Sequence, residues 1–237
     1  MKYAIIAAGE GARLLNGGFL THKPLVSPDG EPMVDRLIRI FLANRAESIS
    51  IIVNRQMPEV YEHLCNLRLP VPLHIIYKST PSSMHSFYEL APTLENGKFC
   101  LTTVDTVFKE DEFALFIQAF EQSEADGLLA VTEFIDDEKP LYVETDGQMT
   151  IQGFHDEAFP GARFVSGGIY GLRQNSLPVL KTAVEAGISR LRNYQRQLIL
   201  DGLQLKAWPF SKIIDVDHPK DILKATNFLN EQATQIQ

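Results

Sequence analysis

The chain has 237 residues, of which 45% are hydrophobic, and a formal net charge of −8 from 30 acidic and 22 basic side chains. This length and apolar content suffice for one sizeable core. The negative charge argues against nucleic acid as a partner, because no overall positive field gathers a polyanion. No apolar run resembles a membrane span or a secretion signal, and two cysteines without metal-type spacing favour a reducing compartment. We therefore expect a cytoplasmic protein without a nucleic acid or membrane partner, and a homo-oligomer stays open.

Strand-like and helix-like patterns alternate through the first half of the chain. Apolar runs of strand type lie at residues 3–8, 48–53, 73–77, 99–104 and 128–134. Between them, apolar residues recur at helical spacing in residues 33–42, 60–67 and 113–120. This alternation predicts an α/β fold with three αβα layers and a mixed, mainly parallel sheet.

The second half of the chain predicts some antiparallel pairing. Its predicted elements are a hairpin at residues 141–151, a strand at 164–172, helices at 176–186 and 188–200, a short strand at 213–216 and a final helix from Pro219. We find no repeat and no linker. The expected organisation is a single domain at 1–230 followed by a polar tail at 231–237.

The loop after the first predicted strand combines glycines with positive charge. Ligands of parallel α/β sheets bind beyond the carboxyl ends of the strands. Gly9 and Gly11 would let the backbone approach an anion closely, and Arg13 and Lys23 keep their charge near neutral pH. The dinucleotide pattern fails at Leu14, and the P-loop ending is absent. A tight strand exit with solvated cations is the alternative, but the combination favours a phosphate-binding loop.

Three ordered blocks of the sequence resemble the sugar-phosphate nucleotidyltransferase family. They are residues 7–14 (AAGEGARL), 23–25 (KPL) and 30–32 (GEP). The resemblance runs through nearly the whole chain and implies a Rossmann-like nucleotidyltransferase fold, here as a stand-alone catalytic domain. The residues that it assigns to the nucleoside triphosphate are Ala8, Gly9, Gly11, Arg13 and Lys23.

Aspartates at two predicted strand ends are candidate metal ligands. Nucleotidyl transfer joins two polyanions, so a metal must neutralise the reacting phosphates, and Mg²⁺ prefers carboxylates, water and phosphates. Asp105 follows an apolar strand where similar proteins carry their Mg²⁺ ligand, and Asp217 ends a later strand in which Asp215 shares its face. We predict Asp105 and Asp217 as the Mg²⁺ ligands, and Asp105 as catalytic together with Arg13 and Lys23. Turn or helix capping by the two aspartates is the alternative.

Two further segments are candidates for the base and the acceptor. Ser82 and Ser83 lie where similar enzymes contact the nucleobase, although capping of a helix explains them equally well. Gly167 and Gly168 lie in a strand that resembles the family's acceptor strand, where a bulge is the alternative. Arg163 is a substitute for a lysine that relatives carry just upstream. We predict these last three residues to bind the acceptor.

The expected reaction is transfer of a nucleoside monophosphate group from a nucleoside triphosphate to a sugar phosphate, with release of pyrophosphate. A cytidylyltransferase acting on phosphocholine or another small alcohol phosphate is the alternative, since residues 82–90 (SSMHSFYEL) resemble that group slightly. A metal-dependent glycosyltransferase would not need the N-terminal phosphate loop. A catalytically silent nucleotide-binding subunit would be expected to lose one or more of Arg13, Lys23, Asp105 and Asp217.

Overall fold

A computed structural model describes residues 1–18 and 20–233, in which strands and helices alternate as the sequence pattern predicts. The strands are β1 (Lys2–Ala7), β2 (Ser48–Val53), β3 (Leu73–Tyr77), β4 (Lys98–Thr103), β5 (Thr106–Val107), β6 (Gly127–Thr132), β7 (Tyr142–Thr145), β8 (Ile151–His155), β9 (Phe164–Arg173), β10 (Leu205–Phe210) and β11 (Ile214–Asp215). The helices are α1 (Ala12–Asn16), α2 (Met33–Ala43), α3 (Pro58–Asn66), α4 (Ser83–Leu90), α5 (Glu110–Gln122), α6 (Ser176–Glu185), α7 (Leu191–Leu200) and α8 (Pro219–Ala233).

Seven strands form the central sheet in the order β10-β6-β9-β4-β1-β2-β3. β1 pairs in parallel with β2 and β4, β2 with β3, and β6 with β10. β9 runs antiparallel to both of its neighbours, β4 and β6, and the β7–β8 hairpin extends from it. The mixed, mainly parallel sheet predicted from the sequence is therefore confirmed, and most carboxyl ends of the strands meet at one edge.

The strand β1 shows how the core lies on both faces of the sheet. Tyr3 and Ile5 point to the face covered by α2 and α5, whereas Ala4 and Ile6 point to the face covered by α4 and α7. All four are almost completely buried. Because alternate strand residues face opposite sides, a continuous apolar run is what a strand with helices on both faces requires.

The described elements differ from the predicted ones in three places. β10 was not expected from the sequence, because Pro209 interrupts its pattern, and proline is tolerated there since β10 lies at the sheet edge. The helix α7 begins at Leu191 and not at residue 188. The last helix extends to Ala233, beyond the expected start of the tail at 231, and residues 234–237 lie outside the described residues. Among the described helices, none has the length and apolar character that crossing a bilayer requires.

Candidate active site

The loop that follows β1 is shaped by two glycines with different requirements. Gly11 has φ +62° at the start of α1, and a Cβ there would lie 3.2 Å from Cβ of Lys23. Its replacement would therefore be strained and would press on Lys23. A Cβ on Gly9 would meet no protein atom within 4 Å. Gly9 thus leaves open space, as expected where a ligand approaches the backbone.

This loop forms one wall of a cavity of about 570 Å³, which we call the main cavity. It lies at the carboxyl edge of the sheet, beyond the ends of β1 and β4. Every residue predicted from the sequence to bind nucleotide or metal lines it: Ala8, Gly9, Gly11, Arg13, Lys23, Ser82, Ser83, Asp105 and Asp217. The fold therefore brings together segments that are distant in the sequence.

Four charged side chains in the main cavity form one connected cluster. Nζ of Lys23 lies 2.6 Å from Oδ2 of Asp105 and 2.5 Å from Oδ1 of Asp217. The other carboxylate oxygen of Asp217 accepts a hydrogen bond of 2.5 Å from Nη1 of Arg13. Lys23 is almost fully buried, whereas about half of the Arg13 side chain is exposed.

The charges of this cluster hold one another in their ionised forms. Burial by itself would lower the pKa of Lys23, but the two carboxylates outweigh this effect and raise the pKa above its usual range. Loss of hydration would raise the pKa of Asp105, but the Lys23 ammonium outweighs it, so that the pKa lies below its usual range. Lys23 is therefore a cation, and Asp105 an anion, at neutral pH.

The donor set of the main cavity fits a hard divalent cation. Among the described residues, no group of three or more His, Cys, Asp or Glu side chains forms a complete metal cage. Mg²⁺ does not require one, because it is usually held by one or two carboxylates together with waters and substrate phosphates. The two cations of the cluster are balanced by its two carboxylates, so a bound polyanion needs added positive charge. Asp105 and Asp217 are carboxylates of the required kind.

Asn54 is a cavity residue that the sequence reasoning missed. It is buried directly after β2, and its Nδ2 donates a hydrogen bond of 3.1 Å to the carbonyl oxygen of Ala8. Its Oδ1 accepts a hydrogen bond of 2.6 Å from Ser79. Asn54 therefore links the glycine loop to the segment after β3. Its position after an apolar strand, like that of Asp105, was the available signal.

Ser82 and Ser83 line the main cavity, but their hydroxyls do not cap α4. No side-chain hydrogen bond caps that helix. Instead, Oγ of Ser82 accepts a hydrogen bond of 3.2 Å from the backbone amide of Arg190, and Oγ of Ser83 accepts one of 3.3 Å from that of Leu191. Ser82 is also 2.9 Å from Nδ1 of His85. The two serines thus tie the start of α4 to the start of α7.

The two glycines predicted to contact the acceptor lie at a bulge of the sheet. The register between β6 and β9 shifts between Leu129 and Val131, opposite this part of β9. Gly168 has φ +74°, and a Cβ there would lie 2.9 Å from Oγ1 of Thr106. Gly167 lines a small cavity of about 50 Å³ beside the main cavity, and a Cβ there would lie 2.2 Å from Cδ1 of Ile213. Packing against protein atoms accounts for both glycines.

Arg163 lines neither of these two cavities. Its Nη2 lies 2.6 Å from Oε1 of Glu133, its guanidinium lies 5.1 Å from the ring centroid of Phe164, and 67% of its side chain is exposed. It precedes the first residue of β9 and lies on the surface. The structure therefore does not bring Arg163 to the site, contrary to the expectation that it grips the acceptor phosphate.

The fold and the main cavity define a class of α/β proteins that bind phosphate chains at the carboxyl edge of a mainly parallel sheet. Comparison with protein families is more specific. Residues 3–165 match the MobA-like NTP transferase domain, and the chain belongs to that family.

Individual relatives agree with the family assignment. The 2-aminoethylphosphonate cytidylyltransferase of Lancefieldella rimae is 28% identical over 111 residues, which cover 45% of this chain and 44% of that protein. The bifunctional protein GlmU of Methanococcus maripaludis is 25% identical over 249 residues, which cover all of this chain and 56% of that protein. The chain thus spans about half the length of these relatives. Among solved structures, the inositol-1-phosphate CTP transferase of T. maritima superimposes with a TM-score of 0.79 at 18% identity, covering 97% of this chain and 96% of that one. That likeness confirms the nucleotidyltransferase fold.

Proposed function

We propose that the protein transfers a nucleoside monophosphate group from a nucleoside triphosphate to a sugar phosphate and releases pyrophosphate. The observation that carries this proposal is the connected cluster of Arg13, Lys23, Asp105 and Asp217 in the main cavity. A member of the MobA-like NTP transferase family with this cluster has the groups that a triphosphate and a divalent cation require. We further propose that the protein acts in the cytoplasm.

The proposed roles follow from the chemistry of the side chains. The glycine loop offers backbone amides to the triphosphate, and Gly9 leaves room for it. Arg13 and Lys23 contact phosphate oxygens and stabilise the negative charge that leaves with pyrophosphate. The attacking phosphate oxygen of the acceptor is already an anion, so no protein nucleophile or general base is needed. Catalysis is then positioning and charge neutralisation.

The cation that this reaction needs would be held by Asp105 and Asp217. Divalent metal ions are typical of the family, and we propose Mg²⁺. When bound, Mg²⁺ supplies charge neutralisation between the α-phosphate and the attacking phosphate. The balanced charge of the cluster supports this assignment, because the four side chains alone provide no net positive charge for a polyanion.

A small phosphonate or alcohol phosphate is the second candidate acceptor. The supporting observation is the relative from Lancefieldella rimae, which acts as a 2-aminoethylphosphonate cytidylyltransferase. In that case cytidine triphosphate would be the donor, as for the inositol-1-phosphate CTP transferase with the same fold. The chemistry at the α-phosphate is unchanged, and only the acceptor's organic part differs.

The experiment is a matrix of pyrophosphate release. The protein is mixed with Mg²⁺, each common nucleoside triphosphate and a panel of sugar 1-phosphates, phosphocholine, inositol 1-phosphate and 2-aminoethylphosphonate. We expect release with one donor and one acceptor, and loss of release on addition of a chelator. Consumption of a nucleotide sugar with transfer of its sugar would instead identify a glycosyltransferase. Nucleotide binding without release for any pair would favour a silent subunit.

A further inference from the structure

A cavity of about 630 Å³ lies between the β7–β8 hairpin and the start of α7, outside the cluster described above. We call it the arginine cavity. Its cationic lining residues are Lys139, Arg190, Arg192 and Arg196, and its acidic lining residues are Glu138, Asp156 and Glu157. None of these residues has a role in the mechanism proposed so far.

Two guanidinium groups in the arginine cavity share one carboxylate. Nη1 of Arg192 lies 2.7 Å from Oδ1 of Asp156, and Nη2 of Arg196 lies 2.8 Å from its Oδ2. Backbone oxygens orient both groups further, since Arg192 donates to the carbonyl of Lys139 and Arg196 to that of Phe154. One carboxylate cannot neutralise two guanidinium groups. The pair therefore retains positive charge in a fixed, fork-like geometry that suits phosphate oxygens.

Arg190 adds a third cation that the fold leaves available. Its side chain is exposed and, within the described part of the chain, its guanidinium has no ion-pair or hydrogen-bond partner. Its backbone is held at φ +71°, an uncommon conformation for a residue with a side chain. The hydrogen bond from its amide to Ser82 fixes this conformation.

The arginine cavity is continuous with the proposed transfer site through two connections. The small cavity shares Arg13 and Asp217 with the main cavity, and Glu138 and Pro140 with the arginine cavity. The second connection is the pair of hydrogen bonds by which the serines of the main cavity hold the start of α7. A ligand in the arginine cavity therefore lies next to a nucleotide in the main cavity.

We propose that the arginine cavity is the acceptor site and that Arg190, Arg192 and Arg196 bind the phosphate or phosphonate group of a small acceptor. They take the place that the sequence reasoning gave to Arg163. The carboxylates of Glu138 and Glu157 at the same cavity suit the hydroxyls of a sugar or the ammonium group of an aminoalkyl phosphonate. This inference deepens the proposed function and rests on it.

The test measures acceptor binding without turnover. Inorganic phosphate, glucose 1-phosphate and 2-aminoethylphosphonate are titrated into the wild-type protein and its variants by calorimetry or NMR. We expect Arg192→Gln and Arg196→Gln each to weaken binding by about tenfold, because a charge-assisted hydrogen bond is lost. We expect Asp156→Asn to tighten it, because the competing carboxylate is neutralised. Arg68→Gln, which removes an exposed arginine at the end of α3, should change nothing.

The opposite signs separate a ligand contact from a structural role, since loss of packing would weaken binding in all three cavity variants. Preference for glucose 1-phosphate or for 2-aminoethylphosphonate identifies the acceptor's organic part. Equal affinity of the wild-type and arginine variants, or no binding of any probe up to about 10 mM, overturns the proposal. Arginine-dependent binding without pyrophosphate release for any donor would contradict the proposed function and leave this site standing. Release with an unchanged acceptor KM in the arginine variants would do the reverse.

Discussion

The backbone amide of Val216 donates a hydrogen bond of 3.0 Å to the carbonyl oxygen of Asp105. On either side of this bond, β11 pairs antiparallel with β5, so that Asp215 lies opposite Thr106. Asp105 and Asp217 come from distant parts of the chain, yet a short backbone ladder sets their separation. The charged cluster is therefore positioned by main-chain geometry, and not only by attraction between its side chains.

Removing the charge of Asp105 should stop the proposed reaction without unfolding the protein. Asp105→Asn keeps the size of the side chain but no longer offers an anion to a divalent cation or to Lys23. We expect kcat for pyrophosphate release to fall at least about a hundredfold, which corresponds to about 3 kcal/mol. Steady-state rates at saturating substrate, with nucleotide affinity and melting temperature on the same sample, check this. A rate within twofold of the wild type would rule out a catalytic role.

The bulge beneath Asp105 should be sensitive to a single methyl group. Gly168→Ala forces a side chain onto φ +74° and places its Cβ 2.9 Å from Oγ1 of Thr106 and 3.0 Å from Oγ1 of Thr103. Those two hydroxyls are hydrogen-bonded to each other at 2.7 Å, on either side of Asp105. We expect the free energy of unfolding to fall by about 1–3 kcal/mol, measured by denaturant titration.

Gly147→Ala is the matched control for this substitution. Gly147 lies in the loop between β7 and β8, and a Cβ there would meet no atom within 4 Å. Its replacement should change the free energy of unfolding by less than about 0.5 kcal/mol. Equal effects of the two substitutions would mean that the bulge does not constrain the loop of Asp105.

The sequence predicted the parts of the site that depend on local patterns. An apolar strand followed by glycines and cations identified the loop from Gly9 to Lys23, and Asp105 was recognisable as a polar residue after a strand. These signals are local because a strand must be apolar to be buried on both faces, and its ligand loop must then follow at once.

Other parts of the site depend on contacts that leave no local pattern. Strands β5 and β11 have two residues each, too few for any periodicity to show. The surface position of Arg163 is decided by its pairing with Glu133, a residue distant in the sequence. The start of α7 carries its arginines to the cavity because Ser82 and Ser83 hold it there, and this tertiary contact is invisible in the spacing of the residues.

An ion-pair network between α2 and α5 should make stability depend on acid pH. Arg39 binds both Glu31 and Glu110, and its hydrogen bonds lower the pKa of Glu110 below the usual range. A carboxyl whose pKa is lower in the folded state stabilises the protein fully above its unfolded pKa of about 4.3, and this contribution is lost as the pH falls through the folded value. We expect Glu110→Gln to cost about 0.5–1 kcal/mol at pH 7, since the pair is partly exposed, and almost nothing near pH 3.

Thermal melts of the wild type and Glu110→Gln between pH 3 and pH 7 measure this difference. Glu95→Gln, which replaces an exposed acid on another part of the surface, serves as the control. A gap between the melting temperatures of wild type and Glu110→Gln that stays constant over this pH range would show that the ion pair is not its source.

Replacing the lysine of the charged cluster should make the protein's stability depend on a divalent cation. Lys23→Met leaves the carboxylates of Asp105 and Asp217 facing each other without the ammonium between them, at a cost of about 2 kcal/mol because both are partly exposed. Since Mg²⁺ would replace the missing charge and bind only the folded protein, we expect millimolar Mg²⁺ to raise the melting temperature of Lys23→Met more than that of the wild type. Lys181→Met, at an exposed position of α6, should respond like the wild type. If Mg²⁺ shifts all three proteins equally, the two aspartates do not form a cation site.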